Sequence, residues 1–183
     1  MTIDDQIKYI GFEKLNAMDR LKVLIPNFHF TGSLSLLCYG VTKRVIGDLD
    51  IVVGNMDVLY RVEDAGEQVD RDFDYESELP KKSEVQLKGK IPNRAHIKLY
   101  NTDICVFYAK DEETQMFEFM ADRTFKVAHP RYAIAAKEEY VKGLLLKTRT
   151  EAQEARMNKH LRDIQDYFYW LDGIKTRYII NNL

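Results

Sequence analysis

Cysteine is scarce in this chain. Its 183 residues include only two, Cys38 and Cys105, far apart. That excludes a disulfide framework and a cysteine-based zinc site. Long hydrophobic runs are missing as well, and no stretch approaches the ~18–20 apolar residues of a membrane span. The first fifteen residues carry Asp4, Asp5 and Glu13 and no apolar signal-peptide centre. Charge of one sign is also lacking, because 27 basic and 29 acidic residues leave a net of −2. This balance excludes a dedicated DNA-coating or polybasic membrane protein. The expectation from these absences is a cytoplasmic protein with no membrane association and no broad DNA binding.

What is present suits one folded unit. Apolar residues at 45% and aromatics at 11% are ordinary globular usage. The length matches one domain with, at most, a small appendage. The charge balance hides an asymmetry. Residues 130–183 carry a net of +3 and the remainder −5. Within the acidic part, Asp70, Asp72, Asp74, Glu76 and Glu78 alternate. A calcium loop needs glycine at its sixth position, where Tyr75 stands, so this run reads as a solvated edge strand or loop.

The apolar spacing predicts a helix over 3–24, with Thr2 as N-cap. A short strand follows at 28–31, then a Gly32-Ser33 turn and a helix from Leu34 to Tyr39, stopped by Gly40. Strands are expected at 49–53, 84–88, 95–100 and 103–108, and a helix at 57–69. From Pro130 the chain reads as helical. A second C-terminal helix runs over about 150–171, with a Thr150/Gln153 capping box and an apolar stripe of Leu161, Ile164, Phe168 and Leu171. Trp170, Tyr167 and Tyr169 near its end are expected to pack on the core. The division is a mixed α/β part over 1–127, including the N-terminal helix 3–24, and a helical part over 128–183.

The chemistry concentrates between residues 30 and 53. Gly32 allows close backbone approach, and the helix start behind it suits a phosphate, with the Ser33 hydroxyl adding a hydrogen bond. Asp48 and Asp50 lie two apart entering the apolar strand Ile51-Val52-Val53, so both carboxylates point one way, with Cα atoms ~6.6 Å apart. Such a pair suits hard cations that also hold substrate phosphates. Asp103 opens a later strand; next to the first, its carboxylate would join the pair and take a proton from a hydroxyl. Arg44 lies near Asp48, and Lys159 and Arg162 would reach phosphates from the helical part. His29 beside the turn is placed to approach a base or acceptor. His96, His129 and His160 read as surface or capping residues, with no spacing that suggests zinc.

In this order, Gly-Ser, a helix, Asp-x-Asp entering an apolar strand and a third Asp on a later strand, the chain resembles the DNA-polymerase-beta-like nucleotidyltransferase superfamily. The fifteen positions from Ser33 to Asp48, with Arg44 before the acidic pair, look most like its small members. These include the lincosamide-type antibiotic nucleotidyltransferases and the nucleotidyltransferase toxins of abortive-infection systems. The stretch from His129 to Lys137 is similar to the helix after their catalytic sheet. Arg156, Lys159, Arg162, Asp163, Asp166 and Leu171 are similar to their Arg/Lys-Asp-x-x-Asp helix.

The resemblance covers roughly residues 28–171. It implies an α+β nucleotidyltransferase fold, a short mixed β-sheet flanked by helices with a helical C-terminal part. The implied reaction moves a nucleoside monophosphate from an NTP such as ATP to an acceptor hydroxyl, releasing pyrophosphate. Asp48, Asp50 and Asp103 would ligate two Mg2+ ions, with Asp103 also the general base. Gly32, Ser33, Arg44 and Lys159 would bind the nucleotide. The acceptor would be a small molecule, a tRNA end or a protein. The alternative is a catalytically silent module of the same fold that binds a nucleotide or a protein partner.

Overall fold

A computed structural model of the chain describes residues 1–25, 27–55, 94–109, 112–120, 123–145 and 148–181. The helix expected over 57–69, the strand expected over 84–88 and the acidic run at 70–78 lie outside these residues. In chain order the elements are α1 (Ile3–Tyr9), α2 (Phe12–Leu24), β1 (Phe28–Phe30), α3 (Gly32–Cys38) and β2 (Leu49–Val53). They continue with β3 (Arg94–Leu99), β4 (Thr102–Tyr108), β5 (Thr114–Phe119) and β6 (Arg123–Ala128). The chain then enters α4 (Pro130–Leu145) and α5 (Glu151–Asn181). The architecture is α+β, a mixed sheet ordered β3-β4-β2-β1-β6-β5, with the last two helices forming a helical C-terminal part.

The N-terminal helix expected as one piece is two. Gly11 adopts φ 85°, a left-handed value no helix interior accepts, and the chain turns there. Thr2 caps α1 through a reciprocal box with Asp5. The polar Gln6 of α1 is buried because its amide is used: Nε2 donates to the Glu118 carbonyl at 3.4 Å, and Oε1 accepts from the Met120 amide at 2.8 Å. The β5–β6 hairpin, which the sequence pattern did not disclose, is thereby tied to α1.

Strand alternation sets the two faces of the sheet. Leu49, Ile51 and Val53 of β2 and Ile104 and Val106 of β4 join Phe30, Phe119, Phe125 and the α2 residues Leu15, Met18 and Leu21 in the main core. Asp50, Cys105 and Phe107 occupy the opposite face by the same period of two. The β3–β4 hairpin turns through Tyr100 and Asn101, both at positive φ (48° and 56°), the turn type whose twist suits antiparallel strands.

The helical part attaches through a second cluster, Leu36, Val41, Ala133, Ile134 and Tyr167. Tyr39 meets the Phe117, His129 and Trp170 rings at centroid distances of 5.0, 5.4 and 6.4 Å, and Tyr167 stacks on Trp170 at 5.7 Å. The capping box of α5 forms as expected. Its apolar stripe forms only in part: Ile164 and Leu171 pack against the second cluster, Leu161 and Phe168 are exposed, and the buried positions are Met157, His160, Asp163 and Tyr167. Tyr169, expected to pack, is also exposed.

Phe30 is fully buried between the Phe28 and Phe125 rings, at 5.2 and 5.3 Å. Phe30→Ala is expected to lower unfolding free energy by ~3–5 kcal/mol in urea titrations.

Candidate active site

The site begins with a contact that only glycine permits. Gly32 opens α3 with φ 60°, and a Cβ there would lie 1.8 Å from Asp50 Oδ2. The Asp50 carboxylate therefore rests directly against the Gly32 backbone, and the Thr31 amide donates to the Asp50 carbonyl at 2.9 Å. The turn and β2 are fixed to each other at the residue that carries the acid.

Asp48, Asp50 and Cys105 bring one ligand atom each within 4.8 Å of one another. The register explains the third member. β2 and β4 run parallel with Asp50 level with Cys105, so Cys105 faces the same side. Asp103 lies two residues earlier on β4, opposite Lys98 of β3, and is exposed. Two residues along a strand is ~6.6 Å. The structure gathers the two aspartates of the Asp-x-Asp pair and a thiol, and it leaves Asp103 outside that group.

A cleft of about 360 Å³ opens beside this group. Thr31, Gly32, Asp50 and Phe107 line one side, and Tyr132, Lys137, Tyr140, Arg156 and His160 of α4 and α5 line the other. An acidic wall thus faces a cationic one. Burial, then the neighbouring Asp48 charge, pushes the Asp50 carboxyl up to about 6, against the opposing pull of Lys137, Arg156 and Lys159. His160 is pushed down to about 4 by burial and by Lys137 and Arg156, so its imidazole is neutral at pH 7. Its Nδ1 lies 3.3 Å from Lys137 Nζ and accepts from it.

Behind the cleft, buried Asp163 of α5 gathers charge from two segments. Arg44 Nε and Nη2 donate to its two carboxylate oxygens at 3.1 and 2.7 Å, and Lys137 Nζ lies 3.1 Å away. Burial alone would raise the Asp163 carboxyl, but the Arg44 and Lys137 bonds outweigh it and hold it below the ordinary carboxylate range. Arg44 Nη2 also donates to Ser33 Oγ at 3.1 Å. Ser33 and Arg44, both expected to touch a nucleotide, are thus held by each other. The serine still has its own proton to donate.

Lys159 lines a second hollow with Arg44, Arg162 and Asp166. Burial and then the Arg44 charge lower its ammonium, while Asp48 opposes that shift. His29 pairs with Glu112 at 2.7 Å, Glu112 being another cleft residue.

Four residues of the site carried no role in the chemistry expected from the sequence: Lys137, Arg156, Cys105 and His160, the last read as a surface or capping residue and found buried against Lys137. Lys137 lies in a run dominated by alanines and isoleucine, which reads as packing. His160 lacks any metal-like spacing. The parallel register that brings Cys105 level with Asp50 is a long-range fact with no local signature.

No family model matches the sequence, and no curated protein matches it. Among solved structures, the chain is similar to an antigenic nucleotidyltransferase-like protein from Paracoccidioides brasiliensis. The two are 13% identical with a TM-score of 0.45, over 82% of this chain and 71% of that one. No helix among the described residues is long and apolar enough to cross a membrane.

Two outcomes follow from the charges. Arg44→Ala strips one partner from buried Asp163 while Lys137 remains. The expected loss is about 3 kcal/mol in urea titrations, the low end for breaking a buried pair. Asp50 holds its proton up to about 6 in the folded state, against 3.8 unfolded. Its ionisation therefore removes stability as pH rises from about 4 to 6, and the cost persists above. Asp50→Asn is expected to raise the melting temperature in EDTA at pH 7.5, with the gain shrinking as pH falls through 6 towards 4.

Proposed function

We propose that the protein is a nucleotidyltransferase that uses a divalent cation to transfer a nucleoside monophosphate from an NTP to an acceptor hydroxyl. The observation that carries this reading is the two-walled cleft. Asp48, Asp50 and Cys105 form a cation-ligating group on the sheet side, and Lys137 and Arg156 stand opposite. A cation and a polyphosphate together neutralise both walls, and neither does so alone. The cleft volume falls in the range of small-molecule sites, and Tyr132, Tyr140 and Phe107 add aromatic surface to its lining.

The ligand set fits a divalent cation: carboxylates suit Mg2+ and Mn2+, and a cation beside Asp50 would favour the ionised form that burial, then the Asp48 charge, disfavours. When bound, such an ion neutralises triphosphate charge and lowers the barrier to attack at the α-phosphorus. The chain's residues do the rest. Gly32 keeps the backbone clear of any Cβ, and Ser33, oriented by Arg44, donates to a phosphate oxygen. Lys137 and Arg156, with Lys159 from the neighbouring hollow, offset charge on the leaving pyrophosphate. Positioning and electrostatics dominate such transfers. In the balanced reaction the acceptor oxygen bonds the α-phosphorus, the bond to the β-phosphate oxygen breaks, and the hydroxyl proton goes to a base. Asp103 is the candidate for that base. Antibiotic-like hydroxyl compounds, a tRNA end and a protein side chain, as a toxin would use, are the acceptor classes.

The exposed position of Asp103 favours one second reading, a module that binds NTP without turnover. Incubation with each α-labelled NTP, Mg2+ or Mn2+, and cell extract separates the two. Transfer to RNA, protein or a small-molecule fraction, lost in Asp48→Ala/Asp50→Ala, is expected. Cation-dependent NTP binding with no transfer to any fraction supports the silent module. Binding that is unchanged in the double variant overturns the cation assignment. Asp103→Asn is expected to lower kcat by ~10²–10⁴-fold at unchanged NTP affinity, and an unchanged rate removes Asp103 as the base.

A further inference from the structure

The position that completes the cation group is a thiol. On β4 the residue level with Asp50 is Cys105, and its Sγ lies within 4.8 Å of both aspartate ligand atoms. The nearest carboxylate on the same strand face, Asp103, is one alternate step earlier and exposed. The chain's other cysteine, Cys38, packs against the main hydrophobic core on α3. The sheet register thus puts sulfur where an oxygen would make an all-hard ligand set.

Ligand softness decides what such a set holds. Oxygen-only sites suit Mg2+, Ca2+ and Mn2+, whereas a thiolate draws borderline ions such as Co2+ and Zn2+. Two carboxylates keep the group anionic enough for an ion that also meets phosphates.

We propose that Cys105 Sγ is the third protein ligand of the cation held by Asp48 and Asp50, and that it biases the site towards borderline divalent ions over Mg2+. This rests on the transferase reading only for where the cation sits. The ion displaces the thiol proton on binding and covers the sulfur, so a loaded site is shielded from alkylation.

The test uses the full chain without nucleotide. Cd2+ serves as the optical probe, and Zn2+ and Mg2+ are titrated by calorimetry. Wild type is expected to give a cadmium–thiolate charge-transfer band that survives Cys38→Ala and vanishes in Cys105→Ser. The ratio of Zn2+ to Mg2+ affinity is expected to fall about tenfold in Cys105→Asp. A measurement without variants stands beside these: Zn2+ is expected to slow iodoacetamide labelling of Cys105, mapped by mass spectrometry. No band, a band that persists in Cys105→Ser, a Zn2+ to Mg2+ ratio unchanged in Cys105→Asp, or labelling indifferent to Zn2+ overturns the proposal. If it falls while Asp48→Ala/Asp50→Ala still abolishes cation-dependent NTP binding, the transferase reading stands alone. If the band appears and no NTP binds, the thiol site stands without it.

Discussion

The arrangement depends on one buried carboxylate. Asp163 of α5 accepts from Arg44, which precedes β2, and from Lys137 of α4, and Arg44 passes the connection on to Ser33 at the head of α3. A charge as buried as Asp163 is strongly unfavourable unless its oxygens are filled, so the chain must bring these segments together or leave it unpaired. The helical part is thus located relative to the sheet by bonds of fixed direction. Apolar contacts such as Leu36 against Tyr167 add area but tolerate sliding. The cleft between the two parts takes its width from that constraint.

A second constraint acts at the turn before α3. Gly32 has no space for a side chain because the Asp50 carboxylate fills it. The same backbone contact that shapes the turn sets the direction of the acid. Together the two contacts leave little freedom to the acidic wall and the turn beside it, while Lys137 on the far wall is held from behind by Asp163. The cationic wall does two jobs: Lys137 stabilises Asp163 and also opposes the raised Asp50.

Much of this was legible in the residues, and what was not has physical reasons. The Gly-Ser turn, the Asp-x-Asp pair and the Thr150 cap are local patterns, and each appears where its spacing put it. Gly11 is the counter-example. The apolar period of three and four ran straight through a residue whose backbone takes a left-handed value. The face of α5 was misplaced because its buried side carries His160 and Asp163, polar residues that a hydrophobic period cannot count. Asp103 and Cys105 are both two-residue neighbours on one strand face. The pairing of β4 with β2 is what brings Cys105 level with Asp50, and that pairing joins residues more than fifty positions apart. The β5–β6 hairpin, with polar residues at Gln115, Glu118 and Lys126, lacked the apolar run that marked β2 and β4.

The aromatic seam where the helical part meets the sheet has an optical consequence. The chain contains one tryptophan, and Trp170 is at that seam, 6.1 Å from the His129 ring and 5.7 Å from Tyr167. Its fluorescence therefore comes from a single place, the joint between the two parts. An imidazole at that range alters the emission of an indole, so any opening of the joint changes the signal directly. The protein carries its own reporter at the joint, and any shift of α5 relative to the sheet would be read in real time with no label attached.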